Sequence, residues 1–538
     1  MEDFAKAFFR NKWAFYGVLF LALVVRYFAF GFRYFAFSDD YNLYGTYAIF
    51  TENLWRNVVI PFHLYSLRPF AGLSNALIIS RFWDNMALVL LVIMLLHFVT
   101  IYLLGRVLAI SGITWGRVAC VVLALYPPTE AVYWIAASSQ IIVSVFFGVL
   151  AVFAMLKYIY RDGYYKIWLA LALLCGLLAQ GFYEQSVIFS FIFTLGILYT
   201  HRHLIKEKIL YAWPFANLAI IGLHYFIFRN VGATALRVEA PQRGFFEQIN
   251  FALEAIRNVF FTEQLRLFRR TARSGLIQLL TGHTFLFIII LILSALLTCF
   301  LIFQAGNKDR EQPLWYSLLA GISLFAGTFA VFFVVDQVFV YLRNLFFPAI
   351  GLALILQILW NTTRLPDFPI IDLGLRIIKP AAAFICILIL LSAATLEVRA
   401  FRDIQRDDLA IYKNLIEKVE SLEIENDQLV WIFNIRWVYS PVIADHLVSA
   451  ARITWQTEGY MRALTGRIEQ PLFIPVLQNN IENVFTLNQA HPTLIPILQS
   501  RHPTPINWQT DIILWLNPDL SLNQITYEDR QIISDFID

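Results

Sequence analysis

Eleven apolar runs dominate this chain: 13–32, 86–110, 114–127, 138–160, 167–181, 185–200, 209–228, 284–304, 313–335, 344–361 and 379–396. A helix needs about 20 apolar residues to cross a hydrocarbon core about 30 Å thick. Most of these runs approach that length; the third, fifth and sixth are shorter. The first is expected to stay on the chain as a span. It is too long for a signal peptide, carries Arg26 and lacks a small-residue cleavage site. Composition agrees: 59% of the 538 residues are hydrophobic and 15% charged, against about 45–50% and about 25% in a soluble domain. A soluble enzyme is excluded, and a polytopic α-helical membrane protein is expected.

Lysine and arginine beside the runs set the orientation. With the N-terminus inside, the inner segments hold 16 basic residues, from Lys6, Arg10 and Lys12 to Arg364, Arg376 and Lys379. The short outer connections 128–137, 182–184 and 336–343 hold one, Arg343. That bias predicts a cytoplasmic N-terminus and, with eleven spans, an outer C-terminus. Two long outer loops follow, 33–85 and 229–283, within a membrane module of residues 1–396. From Glu397 onward there are 11 Lys and Arg against 19 Asp and Glu. This 397–538 stretch is expected to be a small extracytoplasmic α/β domain, with an amphipathic helix over 408–422 and strands over 428–434 and 511–516. No fixed-period repeat is present, so no tetratricopeptide array is expected. The four cysteines all lie in apolar runs, without metal-ligand spacing.

Phe37-Ser38-Asp39-Asp40 follows the first run on the outer side. Adjacent carboxylates near a membrane surface can furnish a general base or hold a divalent metal. Equally, such a pair can be a helix cap with a solvated neighbour. Further along come Ser66-Leu67-Arg68-Pro69-Phe70, His97 within the second run, and Tyr126-Pro127-Pro128-Thr129-Glu130-Ala131-Val132-Tyr133-Trp134-Ile135. The series ends in Tyr341-Leu342-Arg343-Asn344-Leu345-Phe346-Phe347-Pro348. Singly, an arginine at a helix end is usually an interfacial anchor, and an intramembrane histidine is often a packing residue.

In this order the elements resemble the GT-C superfamily of membrane glycosyltransferases, particularly its protein O-mannosyltransferase-like branches. There an acidic pair follows the first span, and an Arg-Pro element lies in the first outer loop. A Leu-Leu-His element, a Pro-x-x-x-Glu-Ala-Val-x-Trp-Ile element and an Arg-containing element before a late span complete the set. The resemblance covers about residues 13–361. Tyr126 stands where the family has His before Pro, Ala136-Ala137-Ser138 where Gly-Arg often follows, and Tyr183-Glu184 for a Lys-Glu pair.

The resemblance implies sugar transfer from a polyprenyl-phosphate donor to an extracytoplasmic hydroxyl on a glycan, lipid or protein. Asp39 would deprotonate that hydroxyl, giving displacement with inversion. Asp40 would orient Asp39 or the acceptor, or share a metal with it. Arg343 first, and Arg68 second, would cover the donor phosphate, since guanidinium forks match phosphate oxygens. Glu130, Trp134, His97 and Glu184 would support them. Loop 229–283 carries eight Arg interleaved with apolar residues, which fits an amphipathic helix on membrane lipid headgroups. Embedded in a membrane-facing loop, it is not expected to bind nucleic acid. Two other classes compete: a transporter, flippase or polymerase of lipid-linked glycans, and a noncatalytic membrane scaffold. The lack of internal symmetry counts against a transporter built from inverted repeats. A multi-pass protein of a prokaryotic plasma (inner) membrane is expected.

Overall fold

Each of the eleven apolar runs carries a helix. The structure, a computed structural model, describes residues 7–47, 68–111, 116–161, 165–228, 244–303, 314–333, 340–362, 369–437, 439, 447–467, 469–478, 506–507, 509–526 and 528–530. Among these, five helices are long and apolar enough to cross a membrane: Pro69–Ile110, Ile135–Ile159, Thr284–Ile302, Leu342–Asn361 and Ile377–Ser421. Lys166–Phe182, Gln185–Thr200 and Ser317–Gly327 are shorter apolar helices. This is the make-up of a helical membrane protein with a small sheet.

The chain divides into two compact units. The first comprises 1–33, 58–74 and 85–398; the second comprises 34–57, 75–84 and 399–538. The helix Pro369–Ser421 supplies residues to both.

In the first unit, local chemistry decides where helices start and stop. Asn11 caps Lys12–Phe28, its Oδ1 accepting from the Trp13 amide at 2.8 Å. Arg117–Leu125 is only nine residues long because Pro127 and Pro128 follow. A proline offers no N–H to carry the hydrogen-bond ladder on, although Tyr126 before it still keeps helical angles, φ −75° and ψ −38°. The carbonyls orphaned at that helix end are met by the buried guanidinium of Arg26, which donates to those of Ala124 and Pro127. Among the described residues of the apolar run 313–335, Leu314–Gly327 is α-helical and a 3-10 turn follows at Ala330–Phe333. Within loop 229–283, residues Phe245–Gly282 form helix throughout, with π-helical stretches at Asn258–Gln264 and Thr271–Gly275. Val259, Leu267 and Leu279 on it are buried, while Phe246, Phe261 and Ile277 are exposed.

The second unit is built on a four-stranded sheet of β1 (Leu429–Ile435), β2 (Leu472–Leu477), β3 (Ile512–Leu516) and β4 (Leu522–Gln524). Their order is β2-β1-β3-β4. β1 lies parallel to both neighbours and β4 antiparallel to β3. A central parallel strand has both faces covered, which is why β1 is almost wholly apolar. Val430 and Ile432 join one buried cluster, with Tyr412, Leu415, Tyr460 and Met461. Trp431 and Phe433 point the other way, against Ile474, Val476 and Ile513. The expected strands 428–434 and 511–516 coincide with β1 and β3. The expected helix 408–422 is the end of Pro369–Ser421 rather than a separate element, because no glycine or proline breaks the chain between 381 and 421. Ala36 and Tyr41, from the loop before the second apolar run, lie in the first of these two cores.

Candidate active site

The two arginines singled out from the sequence share one polar network in the first unit. Arg68 stands at the start of helix Pro69–Ser74. Its Nε and Nη2 fork onto the two carboxylate oxygens of Glu184, and its Nη1 donates to Gln140 Oε1 at 2.8 Å. The guanidinium carbon lies 4.2 Å above the Tyr183 ring. Phe70, two residues on, packs closely against Gly181. A methyl group on Gly181 would stand 2.1 Å from the Phe70 ring, so only glycine admits the contact.

Arg343 lies in the 3-10 turn Leu342–Leu345 that opens the next helix, and its Nη1 donates to Glu130 Oε1 at 2.8 Å. Glu130 comes from the first turn of the short helix Thr129–Val132, behind the two prolines. The Arg343 guanidinium lies 4.3 Å from the Tyr341 ring and 5.1 Å from that of Trp134. The link between the two arginines is Asn344. Its Nδ2 donates to the Tyr183 hydroxyl at 2.7 Å, while its Oδ1 accepts from the Tyr341 amide at 2.8 Å. Glu184, Arg68, Tyr183 and Asn344 thus follow one another by side-chain contacts, and Asn344 is the chain neighbour of Arg343, which pairs with Glu130.

Chemically, this is a pair of guanidiniums whose planes are fixed by carboxylates and aromatic faces. Neither is sealed off: the side chains of Arg68 and Arg343 are 18% and 25% exposed. Prefixed, partly exposed guanidiniums suit the binding of a phosphate at little cost in side-chain ordering. No protein family, curated protein or solved structure matches this chain.

Asp39 and Asp40 belong to the second unit and open the helix Asp39–Tyr47. They are not equivalent. Asp40 is buried, and its Oδ2 accepts from the Tyr34 hydroxyl and from the Phe37 amide at 2.9 Å. It secures the turn that precedes the helix. Asp39 is half-buried, with Oδ1 3.5 Å from the amide nitrogen of Gln456. The residue before it, Ser38, has φ +47°, in the left-handed region that side chains other than those of Gly, Asn and Asp avoid. Such strain persists only where surroundings enforce it, and it concentrates at functional positions. Among the described residues no group of three or more His, Cys, Asp or Glu is placed to hold a metal.

Helix Asp39–Tyr47 lies against helix Thr454–Thr465 at a glycine contact. A methyl on Gly45 would come 2.7 Å from the Gly459 carbonyl oxygen, and one on Gly459 would come 2.6 Å from the Asn42 Cα. Beside it the Tyr41 ring stacks on Tyr460 at 3.6 Å, and Tyr460 on Tyr412 at 4.2 Å. Burial pushes the Tyr41 and Tyr460 phenols well up.

His97 stands apart from the arginine network. Fully buried, it meets the Leu123 carbonyl through Nε2 at 3.1 Å and the Tyr27 hydroxyl through Nδ1 at 3.0 Å. Donation to the carbonyl leaves Nδ1 as the acceptor, so both ring nitrogens serve packing. Ser66 and Leu67 of the Arg68 motif lie outside the described residues. Tyr183, Asn344, Gln140 and Gln456 were not singled out from the sequence. Tyr183 and Asn344 are immediate neighbours of Glu184 and Arg343, which is the one signal that pointed toward them.

Proposed function

We propose that this protein is an integral-membrane glycosyltransferase. It moves a sugar from a polyprenyl-phosphate donor to a hydroxyl of a glycan, lipid or protein acceptor outside the membrane. The observation that supports the reading is the pairing of both arginines with glutamates, Arg68 with Glu184 and Arg343 with Glu130, tied by the Tyr183–Asn344 hydrogen bond beside them. Two arginines, two glutamates and the neighbouring Trp134, singled out from motif order alone, meet there.

In the proposed reaction the acceptor O–H proton passes to the Asp39 carboxylate. The new bond forms from the acceptor oxygen to the anomeric carbon as the carbon–oxygen bond to phosphate breaks on the opposite face, which inverts the configuration. The polyprenyl phosphate leaves with its negative charge covered by Arg343 and Arg68. Asp40 holds the turn that presents Asp39. Eleven spans, a cytoplasmic N-terminus, an extracytoplasmic C-terminal region and a plasma (inner) membrane belong to the same proposal. The exposed apolar side chains and arginines of Phe245–Gly282 would rest against membrane lipid.

The test uses purified protein in lipid, a panel of polyprenyl-phosphate sugars and cell-envelope extract as acceptor. Release of free polyprenyl phosphate is followed for the wild type and Asp39→Asn. A loss of at least about a hundredfold in the variant is expected for removal of a general base. Equal release by both would take the base role from Asp39 and pass it to Asp40. No release from any donor would turn the reading toward a transporter or scaffold.

A further inference from the structure

The first turn of the acidic helix meets a residue that lies more than 400 positions away in the chain, within the same unit. Gln456 sits in the first turn of helix Thr454–Thr465 and is 6% exposed. Its Nε2 donates to the Ser38 hydroxyl and reaches Asp39 Oδ1 at 3.5 Å. The amide therefore touches both the strained residue and the carboxylate next to it.

Other contacts also hold this segment. The backbone of the acidic segment is already held by the Gly45–Gly459 approach and by the Tyr41–Tyr460 stack. The turn before the helix is tied by Asp40 to Tyr34 and to the Phe37 amide. The Gln456 amide adds a contact to the Asp39 carboxylate itself. An N–H directed at one carboxylate oxygen favours one plane of the group, and with it one direction of the other oxygen.

We infer that Gln456 is a positioning residue for Asp39, so that the C-terminal region supplies part of the catalytic apparatus. This rests on the reading of Asp39 as the base. A general base must meet its proton within about 2.6–3.2 Å, and a misplacement of about 1 Å can cost about a hundredfold in rate. Gln456 does not touch the reacting atoms; it sets the aim of the group that does.

Full-length protein in lipid is assayed with a polyprenyl-phosphate sugar over a range of acceptor concentrations. Wild type, Gln456→Met, Asp39→Asn and the double variant are compared. Methionine keeps the length of glutamine and removes its amide. The expected result is a tenfold to hundredfold fall in kcat with KM nearly unchanged, and a double variant no slower than Asp39→Asn alone. Gln456→Glu has the shape of the native residue and carries the test if the methionine variant does not fold. Its carboxylate would face that of Asp39, and the loss should be larger still. Wild-type kcat in Gln456→Met beside a dead Asp39→Asn would overturn the inference and leave the base standing. Losses that multiply in the double variant would also overturn it, since Gln456 would then act independently of Asp39. An active Asp39→Asn, or a wild type that releases nothing, would remove the reading and the inference together.

Discussion

At the scale of single residues, the order of short charged motifs was the legible signal. Arg68, Glu130, Glu184 and Arg343 stand out from the sequence through the series of motifs they belong to, since singly each reads as an interfacial anchor or packing residue. Their partners were not legible. Gln140 lies 72 positions from Arg68, Asn344 lies 161 from Tyr183, and Gln456 lies 417 from Asp39. Uncharged amides and phenols look like ordinary polar residues until the fold brings them to a charge. His97 shows the converse, a conspicuous residue whose two nitrogens are both spent on packing. The fork geometry gives a sharp prediction for Arg343→Lys. Lysine keeps the charge but loses the planar group that pairs with Glu130 and lies over Tyr341 and Trp134. Sugar transfer should fall about tenfold to a hundredfold, the cost of about 1.4–2.7 kcal/mol of transition-state stabilisation. A lysine variant as fast as wild type would take Arg343 away from the phosphate. Asp408 gives a stability prediction. Its buried carboxylate accepts from the Ser449 hydroxyl and, at 3.0 Å, from the Ala450 amide. Asp408→Ala strands both donors and should destabilise the second unit by about 1–3 kcal/mol per unmet group, measured as a lower denaturant midpoint for Trp431 fluorescence.

Elements were more legible than residues, and for a physical reason. A helix with a long apolar face shows itself as a run in the sequence, so the runs that carry helices could be found without any partner in view. Their ends were less clear, because they depend on prolines and on remote caps such as Arg26. In the second unit β1 and β3 are dense apolar strands and were legible. β2 carries Pro475, and β4 has three residues with two of them exposed, so neither announces itself. The approach of helix Asp39–Tyr47 to Thr454–Thr465 could not be foreseen either, since a glycine in a helix signals a close neighbour without naming it. Gly45→Ala tests that approach. The added methyl would stand 2.7 Å from a backbone carbonyl oxygen, which cannot swing aside as a side chain can. Overpacking of this kind costs about 1–3 kcal/mol. The variant should keep its helix content, lose sugar transfer and expose residues 39–47 to limited proteolysis. Unchanged protease resistance would mean that the two helices take up the methyl without parting.

At the scale of the whole molecule, the two units do not follow one another along the chain. Residues 34–57 and 75–84 belong with 399–538, although both segments precede most of the apolar runs. Sequence order alone favours a boundary near 396 with everything before it in one module, since apolar runs set aside a tail but do not show which loops the tail recruits. The consequence concerns removal of the C-terminal region. Within the second unit, Ala36 and Tyr41 share a buried cluster with Tyr412, Leu415 and Tyr460, and Trp83 packs against it. A chain ending at Val398 would retain every apolar run and should still enter the membrane. It would also expose the apolar side chains of 36–41 that this cluster buries, and it would lack Gln456. The expected outcome is a membrane-extractable protein, cleaved readily by protease within 34–47 and inactive in polyprenyl phosphate release. Adding residues 399–538 as a separate chain should restore both protection and release if the cluster reforms. Full transfer by the shortened chain alone would place the chemistry wholly outside the C-terminal region and leave the acidic helix with no need of its partner.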